Sequence, residues 1–257
     1  MDLADYYRRQ FAWRSWGLAF EALPELRGKT VLDLGCGVGD QAAELVARGA
    51  RVIGLDISEE VLEAARSRQL AGAEFRRADL RAALDLDTEV DGIWSSFAAA
   101  YFPDLATVLV QWIQPLHSGG WIALTEIDDF FGHEPLEART HELLEAYARE
   151  ALAAGRYDFR MGGKLRANLE RCGLRVTREL TLPDLELAFD GPALPEVLAA
   201  WRARLEGMTL LRQSCAAEFA RVRDEFLGCL ARADHRARAT VRCCIAVAAP
   251  SVKTGSL

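Results

Sequence analysis

No apolar run in this chain is long enough to cross a membrane, because charged residues interrupt each one well before the roughly 20 residues such a helix needs. The opening residues MDLADYYRRQ also lack the apolar core of a secretory leader, so the sequence predicts a cytoplasmic protein. Cysteine is present but never in metal-site order. Cys36, Cys172, Cys215, Cys229, Cys243 and Cys244 form no C-x-x-C pair and have no histidine clustered beside them, which argues for reduced, packed thiols and predicts no metal. The vicinal pair Cys243 and Cys244 lies in the strand-like run VRCCIAVAAP, where packing is favoured over a redox switch. A basic excess is missing too: 31 Lys and Arg against 38 Asp and Glu leave a net charge of −7. That balance speaks against the basic face of a nucleic-acid binder. With no internal repeat, low-complexity tract or Pro/Gly-rich linker, a single elaborated domain is expected over residues 1–257.

What is there is an alternation. Of the 257 residues, 51% are hydrophobic, enough for a sizeable core. After an amphipathic opening segment, roughly Asp5 to Leu23, short β-branched or Leu-rich runs alternate with helical patterns, the rhythm of a parallel α/β sheet. The strand-like runs are KTVLDLG (29–35), ARVIGLD (50–56), AEFRRAD (73–79), VDGIWSS (90–96) and GGWIALTEID (119–128). GDQAAELVARG and SEEVLEAARSRQLAG lie between them as helices, with Asp40 and Ser58 as expected caps and Gly49 and Gly72 as stops. Past Asp128 the pattern turns helical, LRVTRELTLPD reads as a sixth strand, a helical stretch runs from about Pro195 to Arg232, and ATVRCCIAVAAP closes as a seventh.

The chemistry gathers at strand tips. In VLDLGCGVGD, Gly35, Gly37 and Gly39 make a turn in which missing Cβ atoms permit φ > 0 and close approach to a ligand. The helix that follows offers unpaired N–H groups and a partial positive charge. A dinucleotide fingerprint counted from Gly35 requires Gly or Ala at position 40, where Asp40 would face the pyrophosphate. Asp56, at the tip of the second strand, can accept hydrogen bonds from both hydroxyls of a ribose. Asp79, at the tip of the third, can accept an adenine amine while Leu80 packs on the ring. These residues describe a nucleoside, not a dinucleotide.

Together they resemble the class I S-adenosylmethionine-dependent methyltransferase family, whose first motif stands here as VLDLGCGVGD. The resemblance covers roughly residues 25 to 130 and the two closing strands, and continues through VDGIWSSFAAAYFPDL and LHSGGWIALTEID. It implies S-adenosyl-L-methionine as cofactor, S-adenosyl-L-homocysteine as product, and a Rossmann-like sheet of order 3-2-1-4-5-7-6 with helices on both faces. It also implies that Asp33, Gly35 and Gly37 line the methionine end, Asp56 and Ile57 the ribose and adenine, and Asp79 and Leu80 the adenine edge, with Ser95 and Trp16 also against the cofactor. By the same reading residues 1–28 are a helical lid, 29–130 the cofactor-binding core, 131–192 helices and the sixth strand, 193–238 a helical cap insertion, and 239–250 the final strand. His117 and Ser118 stand where the family often has a basic residue and Pro, a departure confined to a turn.

Methyl transfer from a sulfonium is an in-line displacement that rests on alignment and exclusion of water, with a general base only for a weak nucleophile. Tyr101, Glu126, Asp128 and His133 qualify as bases by position, at the ends of the fourth and fifth strands. Of these His133, in DDFFGHEPL, has the ordinary pKa nearest neutrality and is the expected catalytic residue. Tyr6, Tyr7, Phe11, Trp13 and Trp16 make the opening segment a candidate lid, whereas Arg202, Arg204 and Arg212 read as a solvated face. The predicted acceptor is O, N or C of a small metabolite. The alternatives are a peptide or protein carboxylate, RNA, or a non-catalytic cofactor-binding subunit; no nucleic-acid or membrane partner is expected, and a homodimer is allowed. RNA is disfavoured by charge and by SSFAAAYFPD, which lacks the Pro-Pro-aromatic tetrapeptide common in amino-methylating nucleic-acid enzymes.

Overall fold

The computed structural model describes residues 10–84, 86 and 88–249. Its strands are β1 (Thr30–Leu34), β2 (Arg51–Asp56), β3 (Ala73–Arg77), β4 (Val90–Ser96), β5 (Leu116–Asp128), β6 (His133–Glu134), β7 (Arg175–Leu182), β8 (Arg236–Ala237) and β9 (Thr240–Val247). Seven of them build one sheet in the order β3-β2-β1-β4-β5-β9-β7, parallel from β3 to β5 and closed by β9 antiparallel between β5 and β7. This is the expected order. The remaining two, β6 and β8, pair with each other apart from the sheet.

Neighbouring residues of the central strands fall into two separate apolar clusters, one on each face. Val31, Trp94, Ala123, Cys243 and Ile245 belong to one, and Leu32, Ile93, Leu124, Cys244 and Ala246 to the other. Both faces are dry, which is why these strands read as continuous apolar runs. The vicinal cysteines thus point to opposite sides of the sheet as ordinary core residues.

The helices are α1 (Trp16–Glu21), α2 (Asp40–Ala47), α3 (Glu59–Ser67), α4 (Leu105–Trp112), α5 (Ala138–Ala153), α6 (Leu165–Arg171), α7 (Pro195–Gly207), α8 (Thr209–Cys215) and α9 (Phe219–Leu230). Gly39, not Asp40, is the residue before α2, and Asp40 pairs with Arg68 instead. Ser58 precedes α3 but its hydroxyl makes no cap; the carboxylate of Asp56 takes the Ser58 N–H at 3.0 Å. The opening segment is not one continuous helix either. It breaks between Trp13 and Ser15, where Arg14 bridges Asp184 and the Ser15 N–H donates to Pro183 O at 3.1 Å. Tyr6, Tyr7 and the tail 251–257 lie outside the described residues.

The order of strands reverses between β1 and β4, and the chain leaves the C-terminal ends of both there. Loops diverge at that point and open a crevice, the usual place for a ligand in an open parallel sheet. The site is built on it.

Candidate active site

A cavity of about 770 Å³ opens over the C-terminal ends of the parallel strands. Its floor is the turn after β1. The N–H groups of Gly35 and Cys36 both donate to Leu55 O, at 2.8 and 3.1 Å, which fastens the turn to the end of β2. Gly35 has φ +74°, and a Cβ there would stand 2.7 Å from the Cβ of Ala98, so the turn passes its neighbour at a distance only glycine allows.

Asp56 faces this turn. Its Oδ2 accepts the Gly37 N–H and its Oδ1 the Ser58 N–H, each at 3.0 Å, so two backbone donors fix the carboxylate while lone pairs remain for hydroxyls of a ligand. Asp79 Oδ1 accepts the Arg81 N–H at 3.0 Å, and Asp79, Leu80, Ile57 and Trp16 all line the cavity. Of the residues expected against a cofactor, the structure therefore brings Gly35, Gly37, Asp56, Ile57, Asp79, Leu80 and Trp16 to the lining of one cavity.

Two others lie behind it. Ser95 is buried and spends its hydroxyl on Leu34 O at 2.9 Å, whereas the next residue, Ser96, lines the cavity and donates to Gln41 Oε1 at 2.5 Å. Ser95 is thus one residue out of phase with the wall. Asp33 is buried beneath the turn, and its Oδ2 has no hydrogen-bond partner among the described residues. Burial, and then the nearby charge of Asp56, push the Asp33 carboxyl up to about 7. A buried carboxyl with an unpaired oxygen next to a glycine turn is suited to the ammonium of an amino-acid ligand.

The expected base requires a correction. His133 does not line the cavity: it lies in β6, 1% exposed, packed against Trp201 and Phe226, with Nδ1 3.0 Å from His235 Nε2. The aromatic residues Phe130 and Phe131 carry the loop inward, so a segment that reads as a surface loop is core. Neither Glu126 nor Asp128 lines the cavity; Tyr101 does.

Glu126 has another task. Fully buried at the end of β5, it accepts the Ala100 N–H at 2.9 Å and so ties down the short turn Ala99–Tyr101 that presents Tyr101. Burial pushes its carboxyl up to about 8, opposed by backbone donors and reinforced by Asp158. A folded-state pKa above the ordinary value stabilises the fold below pH 4.5 and loses that contribution as pH rises toward 8. Glu126→Gln is therefore expected to gain stability relative to the native protein by about 1 kcal/mol per pH unit across that window, read from urea midpoints at pH 5 and pH 8. A difference between the two proteins that does not vary with pH would refute it.

The far half of the cavity was not legible in advance. Phe130, Tyr147, Tyr157 and Phe159 line it together with Arg14 and Arg204. The guanidinium of Arg204 stacks on Trp201 and Phe130 and binds Glu186 at 2.6 Å, so this arginine belongs to the cavity and not to a solvated face.

Residues 31–120 match the family model of a methyltransferase domain. A trans-aconitate 2-methyltransferase of Azoarcus sp. (strain BH72) is 42% identical over 97 residues, covering 37% of this chain and 38% of that protein, so the chain spans well under half of that relative's length. Among solved structures, an S-adenosylmethionine-dependent methyltransferase from Mesorhizobium loti superposes with a TM-score of 0.52 at 23% identity, covering 89% of this chain and 96% of the other. A (4+2)-cyclase superposes with a TM-score of 0.60 at 15% identity, covering 91% and 80%, and at such identity the likeness speaks for the fold alone. Residues 31–120 thus match a methyltransferase domain, and the chain has the class I Rossmann-like fold.

Proposed function

From a match to a methyltransferase domain whose glycine turn and acidic strand tips line one cavity, we propose that the chain is an S-adenosylmethionine-dependent methyltransferase acting on a small molecule. The observation that carries this reading is Asp56, fixed by two backbone N–H groups and facing the turn that no side chain fills. When bound, the cofactor supplies a methyl group on a positively charged sulfur, open to in-line attack. Asp56 would hold the ribose hydroxyls, with Ile57 beside the adenine, Asp79 and Leu80 the adenine edge, and Gly35, Gly37 and Asp33 the amino-acid end. Trp16 and Phe11, stacked at 6.1 Å between ring centres, would close the N-terminal side as part of a lid. Helices α7 and α8, which bring Arg204, Met208 and Leu210 to the cavity, would roof the other.

The acceptor would lie in the far half among aromatic walls, where Tyr101 would serve as a general base or hydrogen-bond donor. The small-molecule reading is supported by a largely aromatic far half and by the acidic net charge of −7.

Asp56→Ala is expected to weaken S-adenosylhomocysteine binding by about 1.5–3 kcal/mol, the scale of a lost charged hydrogen-bond pair, while the protein stays folded. Calorimetry giving an unchanged affinity would remove Asp56 from the ribose site. Incubation with methyl-labelled cofactor and a metabolite extract should place label in a small molecule; label only in protein, or in nothing, would sink the small-molecule reading.

A further inference from the structure

The far half of the cavity carries a charge pattern that narrows the acceptor. Asp40, Asp56 and Asp79 line the glycine-turn end, but no acidic side chain lines the aromatic half among the described residues. The charged groups there are arginines, among them Arg14 and Arg204. Both are held from behind on one carboxylate: Arg14 Nη2 donates to Glu186 Oε2 at 2.7 Å and Arg204 Nη2 to Glu186 Oε1 at 2.6 Å. Arg14 Nε also meets Asp184 Oδ2 at 3.0 Å.

The acids are wholly enclosed, with side-chain exposure of 0% for both Asp184 and Glu186, while the arginines reach the cavity wall. What the cavity sees is therefore the positive end of each ion pair. The cluster is also rigid. Asp184 Oδ1 takes the N–H groups of Glu186 and Leu187 at 2.7 Å each, Trp201 Nε1 donates to Glu186 O at 2.8 Å, and the Arg14 guanidinium lies 4.8 Å over the Phe97 ring. Arg14 Nη1 makes no hydrogen bond among the described residues, and a guanidinium presents its donors in a planar fork that matches a carboxylate. Burying two acids to hold two arginines in place costs desolvation that packing alone does not require.

Resting on the methyltransferase reading above, we propose that the acceptor is an organic acid with an apolar or aromatic body, whose carboxylate is held by Arg14 and Arg204 while its body lies among Phe130, Tyr147, Tyr157 and Phe159. The two enclosed carboxylates balance the two arginines in formal charge, so the cavity meets only the local field of the guanidinium ends, which suits a singly charged group better than a phosphate dianion.

The experiment uses the full chain and matched acid and amide probes: cinnamate with cinnamamide, 4-phenylbutyrate with 4-phenylbutyramide, and octanoate with octanamide. S-adenosylhomocysteine is titrated first, and each probe is then titrated into the saturated protein by calorimetry. At least one acid is expected to bind about tenfold or more tightly than its amide, and Arg14→Gln or Arg204→Gln to reduce that ratio to about threefold or less. If either variant fails to fold, the native ratio and the other variant decide. If no acid binds more tightly than its amide, including the case where none binds, or if both folded variants keep the full ratio, the proposal is overturned while S-adenosylhomocysteine binding leaves the methyltransferase reading intact. Absence of S-adenosylhomocysteine binding removes that reading, and this proposal with it.

Discussion

Gly35→Ala is expected to destabilise the protein by about 3 kcal/mol and to abolish measurable S-adenosylhomocysteine binding. Two costs add. A non-glycine residue held at a left-handed φ, here +74°, costs of order 1–3 kcal/mol. The new Cβ would also lie 2.7 Å from Ala98 Cβ, and forced overpacking of that kind costs typically ~1–3 kcal/mol unless the loop after β4 moves. Movement is hard there, because Ala98 belongs to the segment that Glu126 and the Ala100 N–H hold in place. Gly37 provides the control. Its φ is +52°, but a Cβ there meets nothing within 4 Å, so Gly37→Ala should show the conformational cost alone, about 1 kcal/mol. Adding Ala98→Gly to Gly35→Ala removes the contact and should restore roughly the difference between the two single variants. Urea unfolding of all four proteins measures this. Equal losses for Gly35→Ala and Gly37→Ala, or no recovery in the double variant, would show that the turn is not confined by Ala98.

That turn was legible because its causes are local. A run of glycines between a strand and a helix, with an acid at the tip of the next strand, states its backbone geometry and its chemistry within a few residues. The parallel sheet followed from the alternating rhythm, and its strand order from the family resemblance. The errors have a common source in contacts that sequence spacing does not encode. Ser95 and Ser96 cannot be told apart in VDGIWSS, because β4 is buried on both faces and shows no alternation from which to read which serine faces the crevice. Arg14 and Arg204 acquire their places from Glu186, which is 172 residues from the first and 18 from the second, and nothing in RARLEG marks an arginine that lies against Trp201 instead of water. The break in the opening segment at Arg14 likewise depends on Asp184. Elements were readable where one segment suffices, and the acceptor half, assembled from the opening segment, the loops after β5 and β7, and α7, was not.

A pH effect of the opposite sign to that of Glu126 is expected from the residue that its position and its ordinary pKa near neutrality had placed at the catalytic centre. His235 Nδ1 lies 2.9 Å from Gly191 O, which can only accept, so Nδ1 carries the proton and Nε2 is a lone pair. His133 Nδ1, 3.0 Å from that Nε2, must then be the donor, leaving His133 Nε2 bare and buried without a partner among the described residues. Both rings are neutral in this arrangement, and a second proton on His133, at Nε2, has no acceptor to face among the described residues. Burial, and then the neighbouring ring of His235, lower His133 to about 3; burial lowers His235 as well. The sign follows from linkage. Above pH 6.5 neither the folded nor the unfolded chain protonates His133, and the contribution of the pair is complete; below it the unfolded chain takes up a proton that the folded one refuses, so stability falls as pH drops from 6.5 toward 3. At about 1.4 kcal/mol per pH unit the loss from His133 alone reaches about 2 kcal/mol by pH 5. The pair joins β6 to β8, and through them the segment after β5 to the approach to β9, so acid should loosen the wall made by Phe130, Trp201 and Phe226 early in unfolding. His133→Phe, which keeps an aromatic ring against Trp201 and Phe226, is expected to flatten the acid limb of the stability curve by one proton's worth and to leave methyl transfer at pH 8 unchanged. A variant with the native acid slope would place the sensitive group elsewhere, and a variant that folds as the native protein does but has lost turnover would return His133 to the chemistry.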